Sequence, residues 1–182
     1  IEEFTIQLPL FGYYFSIYSS IITNNYYILY FTILYLLGNM SNNLIKYLFK
    51  KSGILPENIG NRPSGCGNRN IGDLCRGCGY WTMYKDNIGS NSYGFPSGHA
   101  QSMAILAIFW SIYIWKKNSV KTFKQYSLIG LLFLLAVVVC YQRVNSKCHT
   151  VLQVISGTII GILFGILSYY ICNKLAPNTF PK

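Results

Sequence analysis

Two short stretches carry the residues that could do chemistry. Residues 93–101 read YGFPSGHAQ, and an apolar, helix-like run follows at 100–115. Pro and Ser suit the start of a helix, so Pro96-Ser97-Gly98-His99 predicts a helix N-terminus. Such an end presents unpaired N–H groups and a positive dipole, which favour an anion. Gly98 lets the anion approach the backbone, Ser97 adds a hydroxyl and His99 adds a proton or a charge. In the second stretch five residues separate Arg143 from His149, and Gln153 follows one helical turn later. Arg62-Pro63 and Lys46 lie upstream. Arginine can grip a phosphate with two N–H groups, and lysine offers a point charge. One histidine could attack phosphorus while the other protonates the leaving oxygen. The five acidic residues form no cluster near these positions, so the set reads as an anion pocket without metal ligands.

These residues act together only if the fold gathers them, and the composition says what fold that is. Hydrophobic residues make up 52% of the 182 and charged residues 11%. Mean hydropathy is +0.31. A soluble domain carries about 25% charged residues, so this is the composition of a membrane protein. The net charge of +10 does not indicate nucleic acid, because the basic residues sit at the ends of apolar runs and in one loop. No cationic region precedes the first apolar run, where Glu2 and Glu3 stand, so no signal peptide is expected.

Apolar runs occupy 8–22, 26–37 with a more polar continuation through 39–49, 100–115, 128–141 and 151–172. Only the last meets a strict spanning window; the others reach that length once Ser, Thr, Asn and Tyr are tolerated. The expectation is all-α: a single polytopic bundle over 1–182 with about five transmembrane helices. Gly157, Gly161 and Gly165 recur every fourth residue, a small-residue packing face. Residues 50–95 form a polar, cysteine-containing loop outside the bilayer, covering the active face. Five crossings put that loop, both histidines and the arginines on one side, with Lys116, Lys117, Lys121 and Lys124 on the other. Counting Lys and Arg does not settle orientation, because the active face carries more basic residues; several of those would be phosphate ligands and the cysteines gather there, so the lysine side is expected to be cytoplasmic. Cys66, Cys75, Cys78 and Cys148 gather on the active face, as disulfides, free thiols or a zinc site. Cys140 and Cys172 read as buried apolar residues.

Lys46 with Arg62-Pro63, then Pro96-Ser97-Gly98-His99, then Arg143, His149 and Gln153 resemble the three motifs of the type 2 phosphatidic acid phosphatase superfamily. The resemblance spans residues 42 to about 171. Lys46 and Arg62 lie farther apart than in the family, and Lys50 or Lys51 competes for the lysine role. Gln142 replaces the family's Ser, and Gln153 replaces the Asp that orients the nucleophile. Gln153, with Tyr93-Gly94 ahead of the second motif, looks like the dolichyl diphosphatase branch.

The resemblance implies an integral-membrane lipid phosphatase acting on a lipid phosphate or diphosphate, polyprenyl or dolichyl diphosphate or phosphatidic acid. It implies His149 as nucleophile through a phosphohistidine and His99 as acid. Lys46, Arg62, Ser97, the Gly98 N–H and Arg143 would hold the phosphoryl oxygens, with Gln153 orienting His149 through its carbonyl. It implies no metal or other cofactor, a lipid phosphate and the bilayer as partners, and no nucleic acid. The expected location is the endoplasmic reticulum or another endomembrane, active face lumenal or external. The alternatives are a catalytically silent protein binding lipid phosphate or a partner, and a haloperoxidase-like vanadate enzyme. The sequence specifies no oligomeric state.

Overall fold

A computed structural model describes residues 2–64, 66, 70–71, 74–76, 78–79, 89–91, 93–117 and 122–177. Among them are six helices: α1 (Glu2–Thr23), α2 (Tyr26–Ser52), α3 (Glu57–Gly60), α4 (Gly98–Lys117), α5 (Phe123–Asn145) and α6 (Val151–Leu175). Three short strands depart from the all-helical expectation: β1 (Asn70–Ile71), β2 (Leu74–Arg76) and β3 (Gly89–Asn91). They pair antiparallel in the order β1-β2-β3.

Local chemistry sets the helix ends. Asn25 caps α2 by accepting the Tyr27 N–H, and Gly53 ends it at φ 63°, a left-handed value that glycine adopts without strain. The helix therefore runs to Ser52, past the end of its apolar run. Thr122 with Gln125, and Thr150 with Gln153, form capping boxes at the starts of α5 and α6.

Helix α4 is the centre of the bundle and packs on α6, α5 and α2. Ala100 to Ala107 of α4 are buried in an unbroken row apart from an occasional exposed atom, so this helix meets protein rather than lipid around most of its surface. Its partner face on α6 is the glycine stripe. A Cβ on Gly157 would run into the Ser97 carbonyl, one on Gly161 into the Gln101 carbonyl, and one on Gly165 would stand 3.1 Å from the Ile105 carbonyl. Glycine is what lets these two backbones touch. Away from the site the core is aromatic: Phe31 of α2 stacks on Phe109 of α4 at 3.7 Å between centroids, with Tyr27, Tyr35 and Trp110 around them.

The outer surface is apolar. Phe15, Ile21, Leu134, Val137, Ile159 and Leu163 are all more than half exposed. Water would penalise such a surface and hydrocarbon would not. Helices α2, α5 and α6 are each long and apolar enough to cross a bilayer. The chain is built as an integral membrane protein.

Candidate active site

The site forms where the ends of α2, α4, α5 and α6 meet the segment after α3. His149 is the last residue but one before α6 and is 2% exposed. Its Nε2 lies 3.0 Å from Arg62 Nη1, and its Nδ1 lies 3.1 Å from Gln153 Oε1. A guanidinium can only donate, so Nε2 accepts. The remaining proton is on Nδ1 and points at the Gln153 carbonyl oxygen. The lone pair of His149 is therefore on Nε2, the nitrogen that faces the cations.

Arg62 is held in place by its own backbone contact, since Nη1 also donates to the Cys148 carbonyl at 2.6 Å. Burial, and then the neighbouring Arg143, push its pKa down to about 10, which leaves it charged at neutral pH. His149 feels burial first and then Arg62, Lys46, His99 and Arg143. All of these disfavour the imidazolium, so its pKa is well below the ordinary histidine value and the ring is neutral at pH 7.

His99 stands in the first turn of α4, buried, within electrostatic reach of Arg143, Arg62 and Lys46. Ser97 is fully buried and sits just ahead of Gly98, where α4 begins; its Oγ is 3.5 Å from the Ala100 N–H. Arg143, in the last turn of α5, is completely buried and donates from Nε to Gln142 Oε1 at 2.6 Å. Lys46 lies on the inner side of α2, where it influences both histidines and feels the charge of Arg62, whereas Lys50 and Lys51 are exposed in its last turn. The structure thus gathers Lys46, Arg62, His99, Arg143 and His149 around one point, with Ser97 and Gly98 at the start of α4 and Gln153 behind His149. Among the described residues, no group of three or more His, Cys, Asp or Glu side chains is placed to hold a metal.

Two supports were not singled out in the sequence. Asn42, one turn before Lys46, donates to Gln101 Oε1 at 2.8 Å and reaches the Pro96 carbonyl at 3.4 Å. Gln101 Nε2 in turn donates to the Gly38 carbonyl at 2.6 Å. This buried amide pair ties the lysine-bearing helix to the Pro96–Gly98 turn. The signal was present: Asn39, Asn42 and Asn43 interrupt an apolar helix, and polar groups there need partners.

The cysteines are resolved by geometry rather than spacing. Cys78 and Cys148 form a disulfide, both buried, next to His149. Cys66 is also disulfide-bonded. The free-thiol and zinc alternatives therefore fall for these three, because a sulfur in a disulfide is neither a thiol nor a metal ligand. The side chain of Cys75 lies outside the described residues. Cys140 and Cys172 are free.

Comparison with known proteins adds the following. The sequence profile of the PAP2 superfamily matches residues 25–177. Dolichyldiphosphatase 1 of Dictyostelium discoideum is 36% identical over 103 residues, 55% of this chain and 44% of that protein. The chloroplastic lipid phosphate phosphatase epsilon 1 of Arabidopsis thaliana is 39% identical over 90 residues, 48% of this chain and 31% of that protein. The dolichyldiphosphatase of Saccharomyces cerevisiae is 30% identical over 104 residues, 57% of this chain and 44% of that protein. The matched regions thus span less than half the length of these relatives. No solved structure matches the chain.

Proposed function

The chain belongs to the PAP2 superfamily, and on that premise we propose that it is an integral-membrane lipid phosphatase. Its substrate would be a lipid phosphate or diphosphate, the class named in the dolichyldiphosphatase and lipid phosphate phosphatase relatives. The observation that carries the reading is the state of His149. It is neutral, its Nε2 lone pair faces a cluster of cations, and its other nitrogen is anchored to Gln153.

The chemistry follows from that arrangement. An entering phosphoryl group offers Arg62 better acceptors than the imidazole, so the guanidinium turns to phosphoryl oxygen and uncovers Nε2. Nε2 attacks phosphorus, the bond from phosphorus to the leaving oxygen breaks, and His99 gives that oxygen its proton. Water then attacks the phosphohistidine, returns a proton to His99 and releases phosphate. Lys46, Arg62, Arg143, Ser97 and the Gly98 N–H carry the charge on the phosphoryl oxygens throughout. These cations suffice for the charge, so a divalent ion has no required place. The silent-protein alternative is motivated by Gln153 and by the wide Lys46–Arg62 spacing; a glutamine that accepts the imidazole N–H and a Lys46 that feels the Arg62 charge weigh against it.

The same reading covers topology. Five crossings by α1, α2, α4, α5 and α6, in one domain over 1–182, put residues 50–95 across the active face and the 116–124 link on the cytoplasmic side. The Cys78–Cys148 disulfide supports a lumenal or external active face, since disulfides persist in oxidising compartments. The endoplasmic reticulum or another endomembrane suits both. The test is phosphate release by the purified protein in detergent from a panel of polyprenyl diphosphates and phosphatidic acid, with EDTA present. Release in EDTA is expected; release only after added magnesium or zinc would refute the mechanism.

A further inference from the structure

Residue 153 does more than face the histidine. Its side-chain nitrogen donates to the Ile59 carbonyl at 2.8 Å and the Asn61 carbonyl at 2.7 Å. Its side-chain oxygen accepts from the Thr150 N–H at 3.2 Å as well as from His149. Its main-chain carbonyl accepts the Ser97 N–H at 2.9 Å. The two carbonyls opposite the nitrogen and the two donors opposite the oxygen leave one orientation for the amide. The side chain is fully buried, and Gly94 closes over it: a Cβ there would stand 2.8 Å from Gln153 Cδ and overlap the oxygen.

We propose that Gln153 is a positioning residue whose amide nitrogen sets the place of Arg62, so that one side chain couples the arginine segment to the nucleophile. Ile59 and Asn61 belong to the turn that leads directly into Arg62. Nothing else in that turn reaches α6 with a side-chain bond of this kind among the described residues. The coupling explains why a carboxylate is absent. An Asp or Glu at 153 could still orient His149, but it would aim an anion at two carbonyl oxygens that now receive N–H groups. Those carbonyls would lose their partners and be repelled. The position therefore demands an amide, and restoring the acid that other superfamily sites use would harm this one.

Gln153→Glu isolates the effect. Glutamate serves the Thr150 capping box as well as glutamine does and keeps an oxygen for His149, so only the two N–H donors are lost. The first readout needs no activity: hydrogen exchange of the purified protein in detergent, followed by mass spectrometry. The Gly60 and Asn61 amides, bonded to the Pro56 and Glu57 carbonyls, should exchange on the order of tenfold faster while α4 and α6 stay protected. The second readout rests on the lipid phosphatase reading. The ratio kcat/KM should fall about 10- to 100-fold. Its acid limb should also move to higher pH, because a carboxylate beside His149 favours the imidazolium. Gln153→Met, which removes the same amide and leaves the Gly94 N–H bond to the Gly60 carbonyl in place, should loosen the same turn. Unchanged exchange at 57–62 in a folded variant overturns the proposal, as does Gln153→Glu activity at or above wild type. If Gln153→Glu does not fold, exchange in Gln153→Met decides alone. If the wild type releases no phosphate, the phosphatase reading fails while the exchange measurement still decides the coupling.

Discussion

Arg62→Lys is the sharpest perturbation of the pocket, because it keeps the charge and removes only the geometry. Arg62 uses one nitrogen to hold the Cys148 carbonyl at 2.6 Å and to cover His149 Nε2 at 3.0 Å. The second contact must be surrendered when phosphorus arrives, so it contributes nothing to the transition state. What counts is the carbonyl anchor plus the further N–H groups of the guanidinium, which can hold phosphoryl oxygens in a fork. Lysine has the charge but no fork, and cannot hold the carbonyl and present paired donors together. A hydrogen bond to a charged group is worth about 1.5–3 kcal/mol. Losing one or two such bonds costs about 1.5–6 kcal/mol, a loss of at least about 10-fold in kcat/KM. The loss should fall mainly on kcat, since the oxygens carry most charge in the transition state. The assay is steady-state phosphate release from one lipid phosphate in mixed micelles, with EDTA. An Arg62→Lys enzyme within about threefold of wild type would refute the reasoning, because charge alone would then be enough.

Further outcomes follow from the geometry. Burial and the surrounding cations hold the His149 pKa well below its ordinary value. The acid limb of kcat/KM that reports it should therefore lie well under pH 6.5. The same shift bears on stability. Below about 6.5 the unfolded chain gains a proton there that the folded chain refuses. Stability should accordingly fall as pH drops from about 6.5, seen as a lower melting temperature at pH 5 than at pH 7.5. Cys78→Ser should lower melting temperature and activity together, because the disulfide closes a separation of 70 residues and fixes the residue whose carbonyl anchors Arg62. The chain-entropy figure for such a loop is about 4 kcal/mol, and wild-type activity and melting in Cys78→Ser would show the link to be idle. Gly157→Ala should destabilise by about 1–3 kcal/mol, since its Cβ would meet the Ser97 carbonyl. Gly130→Ala in α5, with open space around its Cβ, should be neutral or stabilising in the same melting experiment.

The parts of this site written in local sequence could be read in advance. Apolar runs broken by Thr23–Asn25 and by polar links mark the helices, and Pro96 to His99 marks the start of α4. The glycines of α6 name a packing face, which the structure sets against α4. What could not be read depends on backbone atoms far away in the chain. The partners of Gln153 include carbonyls 92 and 94 positions upstream, and a carbonyl leaves no mark in the residue type. The same is true of the Cys148 carbonyl that anchors Arg62. The lysine was ambiguous because three candidates fall within six residues; Lys50 shares the face of Lys46 but stands a turn further on at the exposed end of α2, and Lys51 points to another side. Four clustered cysteines allow three complete pairings, and only distance picks Cys78 with Cys148. The short strands within 70–91 have no alternating apolar pattern to announce them.

The central claim is that His149 attacks phosphorus through Nε2 and that His99 serves the leaving group. Rapid quenching of the reaction, followed by proteolysis and mass spectrometry under alkaline conditions that preserve phosphohistidine, tests it directly. A nitrophenyl phosphate should be used beside the lipid substrate, because its leaving group needs little help from an acid. The phosphoryl group should appear on His149 in the wild type. In His99→Ala it should appear from the nitrophenyl substrate and scarcely from the lipid, a gap of about 10²–10⁴-fold in rate. His149→Ala should show no adduct and no turnover with either. A phosphoryl group on any other residue, or turnover surviving in His149→Ala, would contradict the account.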